Sequence, residues 1–314
     1  MSHVMILAGG LSHERDVSLR SGRRVADALT RSGSEVHVRD VDQTLVGAIK
    51  NSRPEVVWPV LHGATGEDGA LRDVLESLGI GYVGSRPASC RLTWDKPVAK
   101  ALVGAAGLST PDGVALSHAT FRELGAPALL ESVVDSLGLP LAVKPARGGS
   151  ALGLSIVRSA ADLPSAMVVA YAYDDIVLIE QLIVGIEVAI SIVEDGHGRP
   201  QSLPAVEIVP DGGVYSYEAR YTAGATEFFT PARLSSSAAA SAAAASLTAY
   251  HTLGHRHLSR VDLIIDADER PWFLEANVSP GMTETSLLPM AVEAAGMDAA
   301  EVYAAIVERA LTKT

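Results

Sequence analysis

A short hairpin near the C-terminal end constrains this chain more than any other segment. It runs through apolar stretches at 260–265 and 272–277 joined by a turn over 266–270. Pairing Asp266 with Pro271 sets Arg260 opposite Asn277, Asp262 opposite Glu275 and Ile264 opposite Phe273. Side chains alternate along a strand, so these last six share one face while Val261, Leu263, Leu274 and Ala276 take the other. Two directly opposed carboxylates lie about 5 Å apart and repel. A cation is therefore expected between them. Mg2+ suits the pair, because it takes one or two protein carboxylates and fills its shell with water and substrate phosphates. A solvated strand face is the plainer alternative on this segment alone.

The rest of the chain agrees with a soluble enzyme. Its 314 residues suit two or three domains, and a hydrophobic fraction of 48% excludes wholesale disorder. A formal charge of -12 argues against a nucleic-acid partner, which needs a basic stripe. The single cysteine, Cys90, permits no internal disulfide and fits a reducing compartment. The start is a short apolar strand running into a glycine turn, not a signal peptide, and no apolar run reaches bilayer length. The expected location is the cytoplasm, with no membrane partner.

At the N-terminus, an apolar strand over 4–8, the turn Gly9-Gly10, a helix to about Leu29 and a second strand near 35–41 read as a parallel α/β unit. Glycines at a strand-to-helix turn let a ligand approach the backbone and a helix N-terminus that attracts anions. Glu14 in that turn can also be an ordinary first-turn glutamate. His62 follows an apolar strand, at the end where ligands gather in α/β folds, although a lone histidine there is often structural. Lys144 ends another apolar strand, and the loop Gly148-Gly149-Ser150-Ala151-Leu152-Gly153 can cradle phosphate with bare amides. It lacks the Gly-Lys-Ser/Thr of a P-loop, so a flexible connector is as good a reading of glycine content alone.

Three histidines, His251, His255 and His257, raise the question of zinc, since i and i+4 share a helix face. No glutamate sits where a metalloprotease motif needs one. The Ser/Ala-rich run before them reads as a helix with one packed side, because alanine is the strongest helix former.

After the hairpin comes Val278-Ser279-Pro280-Gly281-Met282-Thr283, then Ser286-Leu287 and Pro289. Together with Leu274-Glu275-Ala276-Asn277 this resembles the closing signature of the D-alanine:D-alanine ligases, members of the ATP-grasp superfamily. The family's other stations occur in order along nearly the whole chain. They are Gly9-Gly10 to Ser18, Leu61-His62-Gly63 to Gly69, Trp94-Asp95-Lys96, the 141–153 strand and loop, Glu180-Gln181-Leu182, Gly185-Ile186-Glu187, and Tyr215 to Tyr221.

The resemblance implies an α/β, three-domain ATP-grasp fold with an N-terminal parallel α/β domain at 1-90, a central subdomain at 91-181 and a C-terminal one at 182-314. It implies ATP-dependent joining of two D-alanines through an acyl phosphate, for peptidoglycan precursors, with two Mg2+ or Mn2+ ions. The alternative is a related ligase with another amine or hydroxy-acid acceptor. Glu14 inherits the ammonium of the first D-alanine, with Val17 and His62 beside that substrate. Lys96, Lys144, Ser150, Ala151 and Arg220 inherit the phosphates, Glu180 with the backbone of Gln181 and Leu182 the adenine edge, and Glu187 the ribose. Asp262, Glu275 and Asn277 inherit the metals, Arg260 and the Gly281 amide the oxyanion site, and Ser286 with Leu287 the second carboxylate. Tyr221 ties a mobile loop to Ser150 and Glu14, and a homodimer is the family expectation. This chain departs from the family at Arg72-Asp73 (often Gln-Gly), Ala151 (often Ser), Ser216 (Asp) and Arg220 (Lys). The Tyr215 to Tyr221 aromatics can also be read as core residues.

Overall fold

The computed structural model describes residues 2–222 and 224–312, with the Tyr221 side chain outside the described atoms. Three sheets follow one another along the chain. The first is parallel, with order β2-β1-β3-β4, from β1 (His3–Leu7), β2 (Glu35–Arg39), β3 (Val56–Pro59) and β4 (Gly81–Tyr82). Its two central strands β1 and β3 are almost wholly buried, as expected where helices cover both faces of a parallel sheet.

Helix Arg15–Arg31 crosses from β1 to β2 and buries Ser18, Ser21, Gly22, Val25, Ala28 and Leu29 on one face. Its approach is close. A Cβ at Gly22 would lie 2.5 Å from the Ala8 Cβ, so only glycine lets the helix rest on the strand end. The turn before it holds Gly9 at φ +111°, where a Cβ would lie 2.4 Å from Asp40 Oδ1.

The second sheet is antiparallel, with order β5-β8-β6-β7, from β5 (Gly113–Ser117), β6 (Leu141–Pro145), β7 (Ser155–Val157) and β8 (Ile176–Gln181). The third has order β12-β11-β9-β13-β14, with β10 also on β9. Its strands are β9 (Ile186–Glu194), β10 (Pro200–Ser202), β11 (Val206–Pro210), β12 (Thr226–Phe229), β13 (Leu258–Ile265) and β14 (Pro271–Asn277). Helix Lys96–Ala105 packs on this third sheet, because Ala99 and Val103 share a core with Val261, Leu263 and Phe273.

The Ser/Ala-rich run is helix Ser236–Thr252. Ser235 caps it by accepting the Ala238 amide, and the side bearing Ala238, Ala242, Ala245 and Ala249 is buried against the same core. The histidines beyond it diverge. His255 Nε2 pairs with Thr93 Oγ1 at 2.8 Å, His257 Nδ1 accepts the Gly84 amide at 3.1 Å, and His251 lies exposed, so they form no zinc site.

One part of the hairpin register needs correction. Arg260 faces Asn277 and Asp262 faces Glu275, but a bulge follows, and Leu263 meets Phe273, Ile264 meets Trp272 and Ile265 meets Pro271. Ile264 is therefore not opposite Phe273, nor Asp266 opposite Pro271. The extra residue of a bulge reverses the alternation beyond it. Phe273 accordingly joins the core with Val261 and Leu263, while Leu274 lines the cavity beside Glu275.

Candidate active site

The ends of the three sheets enclose two adjoining cavities, of about 470 Å3 and about 100 Å3, which share Lys96, Gly148, Gly149, Tyr215, Arg220 and Glu275. Every candidate residue whose side chain is described lines one or both. The smaller holds Glu14, Val17, His62, Ser150, Arg260, Asn277, Gly281, Ser286 and Leu287, and the larger holds Lys144, Ala151, Glu180, Gln181, Leu182, Glu187 and Asp262. The Tyr221 side chain lies outside the described atoms.

Glu14 and Ser150 come from different sheets, 136 positions apart, and the Ser150 hydroxyl donates to the Glu14 carboxylate. The loop holding Ser150 is bent unusually. Ser150 and Ala151 both have left-handed backbone, at φ +54° and +55°, which turns consecutive peptide units to one side in the manner of an anion nest. Lys96 Nζ reaches the Gly148 carbonyl at 2.6 Å and Glu275 Oε2 at 3.4 Å.

Opposed Asp262 and Glu275 are the most demanding pair in the site. Arg260 clamps Asp262 with a bidentate pair, Nε to Oδ1 at 2.7 Å and Nη2 to Oδ2 at 2.8 Å, all buried. Burial alone pushes the Glu275 carboxyl up, but Lys96, Lys144, Arg220 and Arg260 outweigh it and hold it down at about 2. Glu187, opposite Ile264 across β9 and β13, goes the other way. Burial, aided by Asp262 and Glu275 against the pull of Arg220, raises it to about 7. The donor set is all oxygen, with Asn277 Oδ1 accepting the Ser279 amide at 2.7 Å, so Asp262, Glu275 and Asn277 suit a hard divalent cation.

The hinge differs from the simple expectation. Glu180 is buried and its carboxylate sits between two lysines, with Lys100 at 2.8 Å and Lys144 closer still. The Gln181 amide donates to Asp112 O at 2.9 Å and that of Leu182 to Pro140 O at 3.1 Å. Both amides are thus committed to strand pairing.

On the loop over the site, Ser216 caps the short helix Tyr217–Tyr221 by accepting the Ala219 amide. Serine and aspartate are equally good N-caps, which explains why Ser216 serves in place of the family's aspartate. Arg220 lays its guanidinium 4.0 Å over the Tyr215 ring. Gly281 has no room for a side chain, since a Cβ would lie 2.7 Å from Ser286 Oγ. That hydroxyl accepts the Thr283 amide at 2.9 Å.

Two residues in this region were missed from the sequence. Lys100 donates to Phe273 O as well as pairing with Glu180, and its burial, with Lys144 beside it, lowers it to about 8 against the pull of Glu180. Glu67 accepts the Gly63 amide at 2.8 Å from the four-residue helix Ala64–Glu67. Burial and then the Glu14 charge raise Glu67 to about 8. A glutamate in the unfolded chain titrates near 4.3. The fold therefore favours its protonated form, and that contribution is whole below about pH 4.3 and lost as pH rises through about 8. Glu67→Gln, which keeps an oxygen for the Gly63 amide, is expected to be more stable than wild type at pH 9, on the order of 2–4 kcal/mol, with little difference at pH 4. Urea melts at the two pH values measure this, and parallel pH dependences would refute it.

Comparison with known proteins agrees with the geometry. A family model described as D-ala D-ala ligase C-terminus matches residues 102–308. The D-alanine-D-alanine ligase of Bordetella petrii is 41% identical over all of this chain and 93% of its own length, and that of Moorella thermoacetica 38% over 98% and 99%. A crystal structure of the Bacillus anthracis D-alanine-D-alanine ligase superposes with TM-score 0.84 at 31% identity, covering 99% of this chain and 98% of that one. The VanG D-Ala:D-Ser ligase of Enterococcus faecalis follows at TM-score 0.83 and 26% identity, covering 97% and 98%. No helix among the described residues is long and apolar enough to cross a membrane. With this ATP-grasp architecture and full-length similarity, the chain belongs to the D-alanine:D-alanine ligase family.

Proposed function

We propose that this chain is an ADP-forming ligase that joins two D-alanines into D-alanyl-D-alanine for peptidoglycan precursors, working in the cytoplasm as a homodimer. The observation that carries the reading is the convergence of Glu14, Ser150, Arg260 and Glu275 on one cavity from three sheets. We divide the chain at 1-90, 91-181 and 182-314, with helix Lys96–Ala105 of the central portion docked on the third sheet.

In this reading the larger cavity takes ATP, with adenine at the 180–182 hinge and ribose at Glu187. Because the amides of Gln181 and Leu182 are committed, the adenine edge meets carbonyl oxygens there and the backbone of Ile183, which lines the same cavity. Lys96, Lys144, Arg220 and the amides of Ser150 and Ala151 hold the phosphates. Asp262, Glu275 and Asn277 hold the Mg2+ or Mn2+ ions. When bound, these supply positive charge against the phosphate oxygens as charge moves between them.

Glu14 binds the ammonium of the first D-alanine, with Val17 and neutral His62 alongside; burial lowers the His62 pKa against the pull of Glu14. The carboxylate of that D-alanine takes the γ-phosphoryl group, giving an acyl phosphate and ADP. The neutral amine of the second D-alanine, its carboxylate held by Ser286 and Leu287, attacks the carbonyl carbon, the C–O bond to phosphate breaks, and the amine's proton leaves with the departing phosphate. Arg260 and the Gly281 amide face the negative oxygen of the tetrahedral intermediate.

Likeness to a D-Ala:D-Ser ligase makes the acceptor the point to test. Phosphate release from ATP is expected with D-alanine alone and to be weaker with D-serine or D-lactate as the second substrate. Mass spectrometry of the products checks this. A dominant mixed product would overturn the dipeptide assignment and leave the ligase chemistry standing.

A further inference from the structure

His3, Glu35 and His37 form a cluster that the ligation chemistry leaves unused. His3 starts β1 and the other two lie on β2, whose parallel register sets Glu35 beside His3 and His37 beside Met5. Side chains alternate along both strands, so all three fall on one face of the first sheet. Met5 and Leu7, in the same row as His3, pack with Leu45 and Ile49 on that face. His3 continues the row past this core. The other end of β1 leads through Gly9-Gly10 to Glu14 and the cleft, so the cluster sits at the far end of the sheet from the site already described.

Its geometry is that of metal ligands. One nitrogen or oxygen from each side chain lies within 4.8 Å of the others. His37 Nε2 is 3.3 Å from Glu35 Oε1, the ligand-to-ligand distance in a tetrahedron with bonds of about 2.0 Å. The His3 and His37 rings meet edge to face with centroids 5.3 Å apart. His3 Nε2 is buried and has no hydrogen-bond partner, so it is withdrawn from water without compensation. The His3 amide donates to Glu55 Oε2 at 2.8 Å and the Glu35 amide to Ser2 O at 2.9 Å, which ties down the backbone beneath two of the three side chains. Arg39, next along β2 on this face, holds Thr44 Oγ1 at 2.7 Å and leaves Glu35 to the histidines.

An exposed pair between His37 and Glu35 contributes little by itself and gives His3 no partner. A cation shared by all three does. Two imidazoles and one carboxylate make a borderline donor set, which suits Zn2+ and its transition-metal neighbours and not Mg2+, whose ligands are oxygens. Glu35 and His37 are exposed, so an ion has a path in.

We propose that His3, Glu35 and His37 bind one divalent transition-metal ion of the zinc class, separate from the Mg2+ ions assigned to the cleft. Each histidine gives the lone pair of one ring nitrogen and keeps its proton on the other, Glu35 gives an oxygen, and water fills the fourth position. A rotation of the His3 ring brings its nitrogen to the separation that His37 and Glu35 already have. The ion ties β2, an edge strand paired with β1 alone, to the start of β1. It is a structural clamp and takes no part in ligation.

Isothermal titration of Zn2+ into the full chain, with Mg2+ in excess, tests the site. Wild type is expected to bind an equivalent that His37→Ala binds at least about tenfold more weakly, since losing even an outer-shell partner of a metal costs that much. Zinc binding common to both proteins belongs to the oxygen ligands of the cleft. His37 is exposed, so the variant keeps the fold, and its MgATP-dependent ligation should match wild type. Zn2+ should raise the Tm of wild type more than that of the variant. Crystals soaked in Zn2+ should show an anomalous peak between His3 and His37. Identical titrations of the two proteins overturn the site, as does a peak confined to Asp262 and Glu275. A fall in ligation by zinc-free His37→Ala overturns the separation of this clamp from catalysis.

Discussion

Glu275→Gln is expected to lower turnover by about a thousandfold while leaving the fold intact. Glutamine fills the same volume, so strand pairing with Asp262 and packing beside Leu274 need not change. The chemistry changes completely. Four cations, Lys96, Lys144, Arg220 and Arg260, surround a carboxylate that they hold far below its ordinary pKa, and Lys96 loses the partner 3.4 Å away. The proposed metal loses one of its two charged ligands, and a metal supplies several kcal/mol of charge stabilisation in reactions of this kind. A loss of about 4 kcal/mol corresponds to roughly three powers of ten in rate. Ligase assays across a magnesium titration, with melts as the folding control, give the answer. Part of the loss should return at high magnesium, and wild-type turnover at low magnesium would sink the assignment of Glu275 to the metal.

That pair was legible in the sequence because two strands joined by a short turn leave few registers, and only some put carboxylates face to face. The bulge was not legible. Trp272, Phe273 and Leu274 are three consecutive apolar residues, so alternation cannot tell which of them enters the core, and packing against Val261 and Leu263 decides for Phe273. The cation between the carboxylates was expected to be a metal, yet the structure also brings Arg260 and Lys96 onto them, residues two and 179 positions from their partners. The first contact is local, the second depends on how helix Lys96–Ala105 docks. Glu67 stood inside a recognised motif without a role, because its raised pKa comes from burial by tertiary packing and from a charge, Glu14, on another element. Lys100 was hidden for the same reason.

Glu180→Gln should destabilise the protein by about 3–5 kcal/mol, the cost of removing one partner from a buried ion pair and leaving the other charge unpaired. Glu180 is 2% exposed and its two carboxylate oxygens serve different lysines, Oε1 for Lys144 and Oε2 for Lys100. Burial pushes its carboxyl up, and the two lysines outweigh burial and hold it ionised. Both lysines feel the Glu275 carboxylate, but burial and the charge of Lys144 still lower Lys100 to about 8, whereas Lys144 is raised, and the other contact of Lys100 is the Phe273 carbonyl at 3.3 Å. The burden of the substitution therefore falls on Lys100. Replacing Lys100 by methionine in the same protein removes the stranded charge, and the double variant should recover most of the stability lost by Glu180→Gln alone. Urea melts of wild type, both single variants and the double variant complete the cycle. A loss below about 1 kcal/mol in Glu180→Gln would show that the pair behaves as a solvated one. The same proteins also separate two jobs assigned to one residue. If Glu180 acts on the nucleotide mainly by keeping Lys144 charged and in place, the double variant regains stability without regaining ATP affinity. Recovery of both would mean that the carboxylate is needed only as a counter-charge to Lys100, and that the adenine edge is met by the hinge backbone alone.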